Sequence, residues 1–135
     1  MNPTPVADPV AVAIWPTDTH SVRRIVRDGA AYNEGFVFDD DNWGPLAISY
    51  RALTPRKREV VNLLTPTCPS STHVAYGAIR LEQTFLSLGQ AAGTAAVLAL
   101  TAGVPVQDVA YEALQNRLMA DGQVMSVALV PAKGR

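Results

Sequence analysis

The sequence lacks several features that would assign it to a functional class at once. It has one cysteine, Cys68, among 135 residues, so an internal disulfide is excluded and a reducing, cytoplasmic location is expected. GxGxxG, GxxxxGK[ST], HExxH and GxSxG do not occur in it. Charged residues make up only 17% and the formal net charge is −1, which gives no electrostatic basis for binding nucleic acid.

Charge is also missing from one long internal stretch, residues 83–107. A membrane-spanning helix needs about 20 predominantly apolar residues, and the stretch contains the close-packing pattern Gly89-xxx-Gly93. Polar residues spread along it nevertheless favour a buried helix, and we expect no membrane span. These residues are Gln83, Thr84, Ser87, Gln90, Thr94 and Thr101.

The remaining pattern predicts an α/β (α+β) fold, with a mixed β-sheet followed by two C-terminal helices. Residues 1–9 hold three prolines and are expected to form an extended or disordered lead-in. Strands are predicted at 10–15, 22–26, 30–33, 46–53, 59–64 and 124–130, with an Asp28-Gly29 hairpin turn and a polar loop at 34–44. Helices are predicted at 81–103, ending at Gly103, and at 109–120, with Asp108 as N-cap.

The first predicted helix is built largely from small residues, among them Gly89, Ala92, Gly93 and Ala96. Glycine within a helix costs about 1 kcal/mol relative to alanine, so a close neighbour must compensate. Tight packing against a sheet is one explanation. A cofactor at the N-terminal end of the helix is the other, because that end presents free N–H groups and a positive dipole.

His73 and Arg80 bracket the loop that precedes this helix. A loop histidine can act as a general acid or base, and an arginine can hold a carboxylate or stabilise developing negative charge. A structural histidine and an Arg80–Glu82 ion pair are the alternatives, and His20 has the same ambiguity. No ligand spacing supports a metal site formed by His20, His73 and residues 39–41, and Cys68 has no orienting partner to make it a nucleophile.

Five segments, in order, resemble the C-terminal third of FAD-dependent oxidoreductases of the type labelled xanthan-lyase-associated. They are WPTDTHSVRR, NEG, ISYRALTP, NLLTPTCPSSTHVAYGAIRLEQTFLSLGQAAGTAAVLA and VPVQDVAYEALQNRLMADGQV. The most specific portion is STHVAYGAIRLEQTFLSLGQAAGTAA, in which the loop, the arginine and the small-residue helix coincide. One departure is Ala110, where the family often has an acidic residue at the start of a helix.

The resemblance implies hydride transfer between a small organic substrate and FAD. His73, Arg80 and His20 would then be catalytic residues on the substrate side of the flavin. The N-terminal end of the small-residue helix would face the flavin ring. The residues expected to bind the cofactor are Gly77, Ala78, Leu81, Gly89, Gln90 and Gly93.

Members of this family are longer and carry a GxGxxG element that binds the FAD pyrophosphate. By resemblance, residues 10–58 belong to the substrate-domain sheet and residues 59–135 are the closing strand and helices of the FAD-binding domain. We therefore expect the chain to be inactive alone, and to associate either with another chain that carries the N-terminal half or with copies of itself. A non-enzymatic self-associating or partner-binding domain and a membrane-associated helix hairpin are the alternatives.

Overall fold

Helices from the second half of the chain pack against short strands from the first half, in a computed structural model that describes residues 5–39 and 44–130. The strands are β1 (Pro9–Ala13), β2 (Thr17–Asp18), β3 (Arg23–Arg27), β4 (Ala30–Glu34), β5 (Phe38–Asp39) and β6 (Leu46–Ser49). The helices are α1 (His73–Ile79), α2 (Glu82–Ala102) and α3 (Tyr111–Ala120). The predicted α+β composition is confirmed.

The strands form three separate antiparallel pairs, β1–β6, β2–β5 and β3–β4. The pairing differs from the mixed sheet that we predicted, because within the described ranges each pair has no third strand beside it. The predicted hairpin is confirmed as β3–β4, with Arg23 opposite Glu34 and Arg27 opposite Ala30. Its turn residues, Asp28 and Gly29, have φ values of 53° and 76°, the positive-φ geometry of a tight hairpin turn.

Three predicted strand segments take other conformations. Residues 59–64 form turns and extended backbone, since no neighbouring strand in the described part of the chain completes a ladder with them. Their carbonyl groups bind the α2–α3 connection instead: Val61 accepts from the Val106 amide at 3.0 Å and Val60 from Gln107 Nε2 at 2.9 Å. Residues 124–130 contain only a 3₁₀ turn, Val127–Leu129, and the predicted strand at 46–53 becomes a 3₁₀ turn after Ser49.

The predicted N-cap of the last helix is also wrong. Asp108 ends a 3₁₀ turn, Val106–Asp108, and its carboxylate forms an ion pair with Lys57. Helix α3 starts three residues later, after Ala110, with no side-chain cap. Because Asp108 belongs to this separate 3₁₀ turn, the residue at the N-cap position of α3 is Ala110.

One hydrophobic core joins both halves of the chain. Val10, Leu53, Leu88, Leu114 and Leu118 are fully buried in it. Side-chain hydrogen bonds to backbone carbonyl groups also connect distant elements: α3 and the residue Gln123 with β1, and the 3₁₀ turn after β6 with the α2–α3 connection. Tyr111 donates to Pro9 at 2.8 Å, Gln123 donates to Val10, and Tyr50 donates to Val106 at 2.7 Å.

Helix α2 begins and ends within one residue of the predicted bounds, and Gly103, whose φ is 65°, is its C-cap. One face carries Leu88, Ala91, Ala95 and Ala99 into the core. The opposite face is apolar but uncovered: Leu86, Val97 and Leu100 are 75%, 62% and 83% exposed. By length and composition α2 is apolar enough to cross a membrane, although its inner face forms the centre of this core.

Burial of Tyr50 predicts a loss of stability in alkaline solution. The side chain is 4% exposed, and burial raises the pKa of its hydroxyl from 10.0 to about 12. Because the unfolded chain loses this proton first, the stability that it contributes is complete below pH 10 and is lost as pH rises toward 12. We expect Tyr50→Phe to flatten this part of the stability profile, measured by urea unfolding between pH 9 and 12. If the free energy of unfolding fell as steeply with pH in Tyr50→Phe as in the unsubstituted protein, this prediction would be wrong.

Candidate functional site

Both histidines of the sequence line one pocket. The pocket lies between α1 on one side and, on the other, the end of β2 and the two residues after it. Its volume is about 310 Å³. His20 and His73 are 53 positions apart in the sequence, so the fold brings them together. The complete lining is Asp18, Thr19, His20, His73, Tyr76, Gly77 and Arg80.

Helix α1 supplies one wall of this pocket. His73, Tyr76, Gly77 and Arg80 are spaced three and four residues apart, which places them on one helix face. Thr72 caps the helix by accepting a hydrogen bond from the Ala75 amide at 3.2 Å. Sequence analysis predicts a loop here, whereas the structure has a helix of seven residues, too short to show a clear helical period. The signal that could have identified it is a threonine N-cap before a short apolar run.

Gly77 allows β2 to approach α1 closely. A Cβ atom at this position would lie 2.8 Å from the Asp18 carbonyl oxygen and 3.0 Å from the Asp18 backbone nitrogen. Only glycine fits that contact without displacing one of the two backbones. Gly77, which we predicted as a cofactor-binding residue, borders the pocket, and the element that approaches it is the chain's own strand β2.

Arg80 is held by Asp18. Its Nε and Nη2 donate to the Asp18 carbonyl oxygen at 3.4 and 3.2 Å, and Nη2 also lies 3.3 Å from a carboxylate oxygen of Asp18. The two side chains are 31% and 29% exposed, so the pair is partly screened by solvent. The structural alternative, pairing with Glu82, is replaced by pairing with Asp18. Sequence analysis missed Asp18, which is 62 positions away from Arg80.

Thr19 fixes the opposite wall of the pocket. It is 2% exposed, and its hydroxyl accepts from the Val37 amide at 2.6 Å. The same hydroxyl lies 3.2 Å from the Gly35 carbonyl oxygen. The backbone amide of Thr19 donates to Val37 at 2.9 Å. These contacts hold the segment that carries His20 in place next to α1.

A second cavity, of about 460 Å³, is lined in part by the first turns of α2. Its polar lining from α2 is uncharged: Gln83, Thr84, Ser87 and Gln90. Leu81 precedes the helix and gives it no side-chain cap, so the first-turn amides stay available. The other lining residues are Val12, Ile14, Asp121, Gly122, Gln123, Val124, Leu129 and Val130.

The other predicted cofactor residues lie away from both cavities. Ala78 is 3% exposed, on the buried side of α1. Gly89 and Gly93 lie on the uncovered side of α2, where an added Cβ would meet no atom within 4 Å. Their small size is thus not explained by packing within the described residues.

Two further hypotheses concern a metal site and a cysteine nucleophile. In the parts of the chain that the structure describes, no three His, Cys, Asp or Glu side chains gather as metal ligands. Residues 40 and 41 of the candidate set lie outside those parts. Cys68 is exposed, its sulfur lies 4.0 Å from the Thr67 hydroxyl, and it does not line the histidine pocket.

Comparison with known proteins gives the family. A model of the FAD dependent oxidoreductase family matches residues 1–118, which include the histidine pocket and α2. The chain belongs to the FAD dependent oxidoreductase family. No curated protein and no solved structure matches it. In this member of the family, His20, His73 and Arg80 line one pocket, and Arg80 lies two residues before the first residue of α2.

Proposed function

We propose that the chain is the C-terminal part of an FAD-dependent oxidoreductase that transfers a hydride between a small organic substrate and FAD. Family membership supports the cofactor class. The observation that carries the proposal is the pocket that contains His20, His73 and Arg80 next to the start of α2. The quoted sequence segments favour the xanthan-lyase-associated group within the family.

The lining of the second cavity fits part of FAD. The polar edge of a flavin ring is neutral and carries both carbonyl groups and an N–H group, and amides and hydroxyls complement such an edge. Gln83, Thr84 and Gln90 offer those groups, and the one charged residue in the lining, Asp121, is paired with Arg117. The first-turn amides of α2 add donors and a positive dipole end. These residues would hold the ring, whereas no residue pattern in the sequence fits the pyrophosphate.

FAD, when bound, supplies the acceptor or donor of the hydride. The protein's own groups then handle the proton and the orientation of the substrate. A neutral imidazole of His20 or His73 can accept a proton from the substrate's hydroxyl or amine while the C–H bond is broken. Arg80, held by Asp18, would orient an electronegative group of the substrate.

We propose that the pyrophosphate-binding element covers the outer face of α2. This face, defined by Leu86, Gly89, Gly93, Val97 and Leu100, is apolar and uncovered. Exposed apolar areas of this kind mark interfaces. A groove of about 430 Å³ continues from this face toward residues 61–62, where the segment predicted as a strand has no partner strand among the described residues. We propose that a separate segment or chain supplies that partner, and that these 135 residues do not turn over alone.

The absorbance spectrum tests the cofactor proposal. The purified chain, mixed with excess FAD and desalted, is expected to retain flavin absorbance near 450 nm. Gln90→Leu is expected to reduce the retained flavin, because it removes an amide from the second cavity. Gln115→Leu in α3 is the matched control outside the cavity. Equal loss of flavin in both variants would contradict the assigned ring site.

A non-enzymatic self-associating domain is the second candidate, and the outer face of α2 is the observation that favours it. It predicts a colourless protein that stays oligomeric in dilute solution after incubation with FAD. Sedimentation analysis with and without FAD separates the two proposals.

A further inference from the structure

Asp18 leaves one end of the Arg80 guanidinium free. Nε and Nη2 make the hydrogen bonds to Asp18, while Nη1 has no hydrogen-bond partner among the described residues. An arginine side chain has five N–H donors in a rigid planar fork, two of them on Nη1. The fork is therefore fixed at one edge and still able to donate at the other.

The free donors belong to a pocket that holds other donors. His20 and His73 line the same 310 Å³ volume, and a neutral imidazole has one N–H group to donate. Asp18 is the only carboxylate in the lining, and the Tyr76 hydroxyl donates to the Thr67 carbonyl at 3.1 Å. A ligand that enters this pocket meets donors from three separate side chains.

From this arrangement we infer that the pocket binds a small molecule through a carboxylate group, received by Arg80 and the two histidines, with the backbone carbonyl of Asp18 holding Arg80 in position. The inference deepens the proposed function, on which it rests, by naming the class of substrate.

The charge balance favours a carboxylate over a phosphate. Arg80 contributes one positive charge and Asp18 one negative charge at 3.3 Å from it. A planar carboxylate with a single charge matches a planar guanidinium edge and the imidazole donors. A phosphate near pH 7.5 carries almost two negative charges, and the pocket has too little positive charge to compensate for them.

Proton NMR offers a direct readout, because the chain contains two histidines and both belong to the pocket. Their Hε1 resonances, assigned with His20→Gln, are followed at pH 7.5 and constant ionic strength while acetate is added to flavin-free protein. We expect a saturable shift with acetate, none with neutral acetamide, and at least about tenfold weaker binding of inorganic phosphate. Equal shifts with acetamide, or phosphate binding as tight as acetate binding, would overturn the inference.

Two variants change the affinity in opposite directions. Asp18→Asn removes the negative charge but keeps the backbone carbonyl that binds Arg80, so acetate is expected to bind about three- to tenfold tighter. Arg80→Gln removes the guanidinium and is expected to weaken acetate binding at least about tenfold. Weaker binding in Asp18→Asn, with far-UV circular dichroism unchanged, would overturn the inference even if Arg80→Gln does not fold.

The acetate titration and the flavin-retention experiment test different proposals, and either one can fail without the other. Retained flavin without an acetate-dependent shift leaves the proposed oxidoreductase standing and removes the carboxylate assignment. A saturable acetate shift in a chain that never retains flavin supports the carboxylate assignment and contradicts the flavin-ring site proposed for the isolated chain.

Discussion

Replacing Leu88 with alanine is expected to lower the free energy of unfolding by about 2–5 kcal/mol. Leu88 is fully buried on the inner face of α2, where the helix meets the rest of the core. Truncation loses its apolar burial and leaves a cavity that the surrounding side chains only partly fill. Urea unfolding followed by circular dichroism measures the effect.

Leu100→Ala is the matched control on the same helix. Leu100 is 83% exposed, so its truncation is expected to change stability by no more than about 0.5 kcal/mol. The same variant should weaken association with the proposed partner of the outer α2 face. A loss of stability as large as that of Leu88→Ala would mean that this face is covered in solution, and would contradict the exposure described above.

The second large effect is expected at Gly77. Gly77→Ala places a methyl group 2.8–3.0 Å from backbone atoms of Asp18, which are not the flexible end of a side chain. Overpacking of this kind costs about 1–3 kcal/mol. Separation of β2 from α1 would also move Asp18 relative to Arg80. We therefore expect lower stability, measured by urea unfolding, and displaced Hε1 resonances of both histidines.

Gly93→Ala makes the same substitution at another helical glycine, and we expect it to raise stability. An added Cβ at this helical position meets no atom within 4 Å, so the higher helix propensity of alanine should raise stability by about 0.5–1 kcal/mol. The histidine resonances should stay in place. If Gly77→Ala proved as well tolerated as Gly93→Ala, the close approach of β2 to α1 would be wrong.

The elements that sequence analysis predicts correctly are those whose signals are local. Helix α2 shows three- and four-residue spacing and a terminal Gly103, and the β3–β4 hairpin has an Asp28-Gly29 turn. Residues 59–64 have strand-like composition, but a strand also needs a neighbour, and the described residues provide none. Composition indicates the tendency of a segment to form a strand, but it does not indicate whether a neighbouring strand is present.

Some residues of the candidate pocket could be selected from the sequence, but their contacts could not. His20, His73 and Arg80 attract attention by chemical type, and the fold places them around one pocket. The contribution of Asp18 comes from an element of two residues, too short to show a pattern. The close contact at Gly77 depends on the same distant segment, so no local sequence signal reveals it.

Strand β1 depends on residues at the far end of the chain. The hydrogen bonds from Tyr111 to Pro9 and from Gln123 to Val10 span 102 and 113 positions. Synthesis proceeds at roughly 5–20 residues per second, so β1 leaves the ribosome several seconds or more before these partners exist. During that interval its apolar side chains have no completed core to enter. We therefore expect newly made chains to be most vulnerable to aggregation and chaperone capture before α3 and Gln123 emerge.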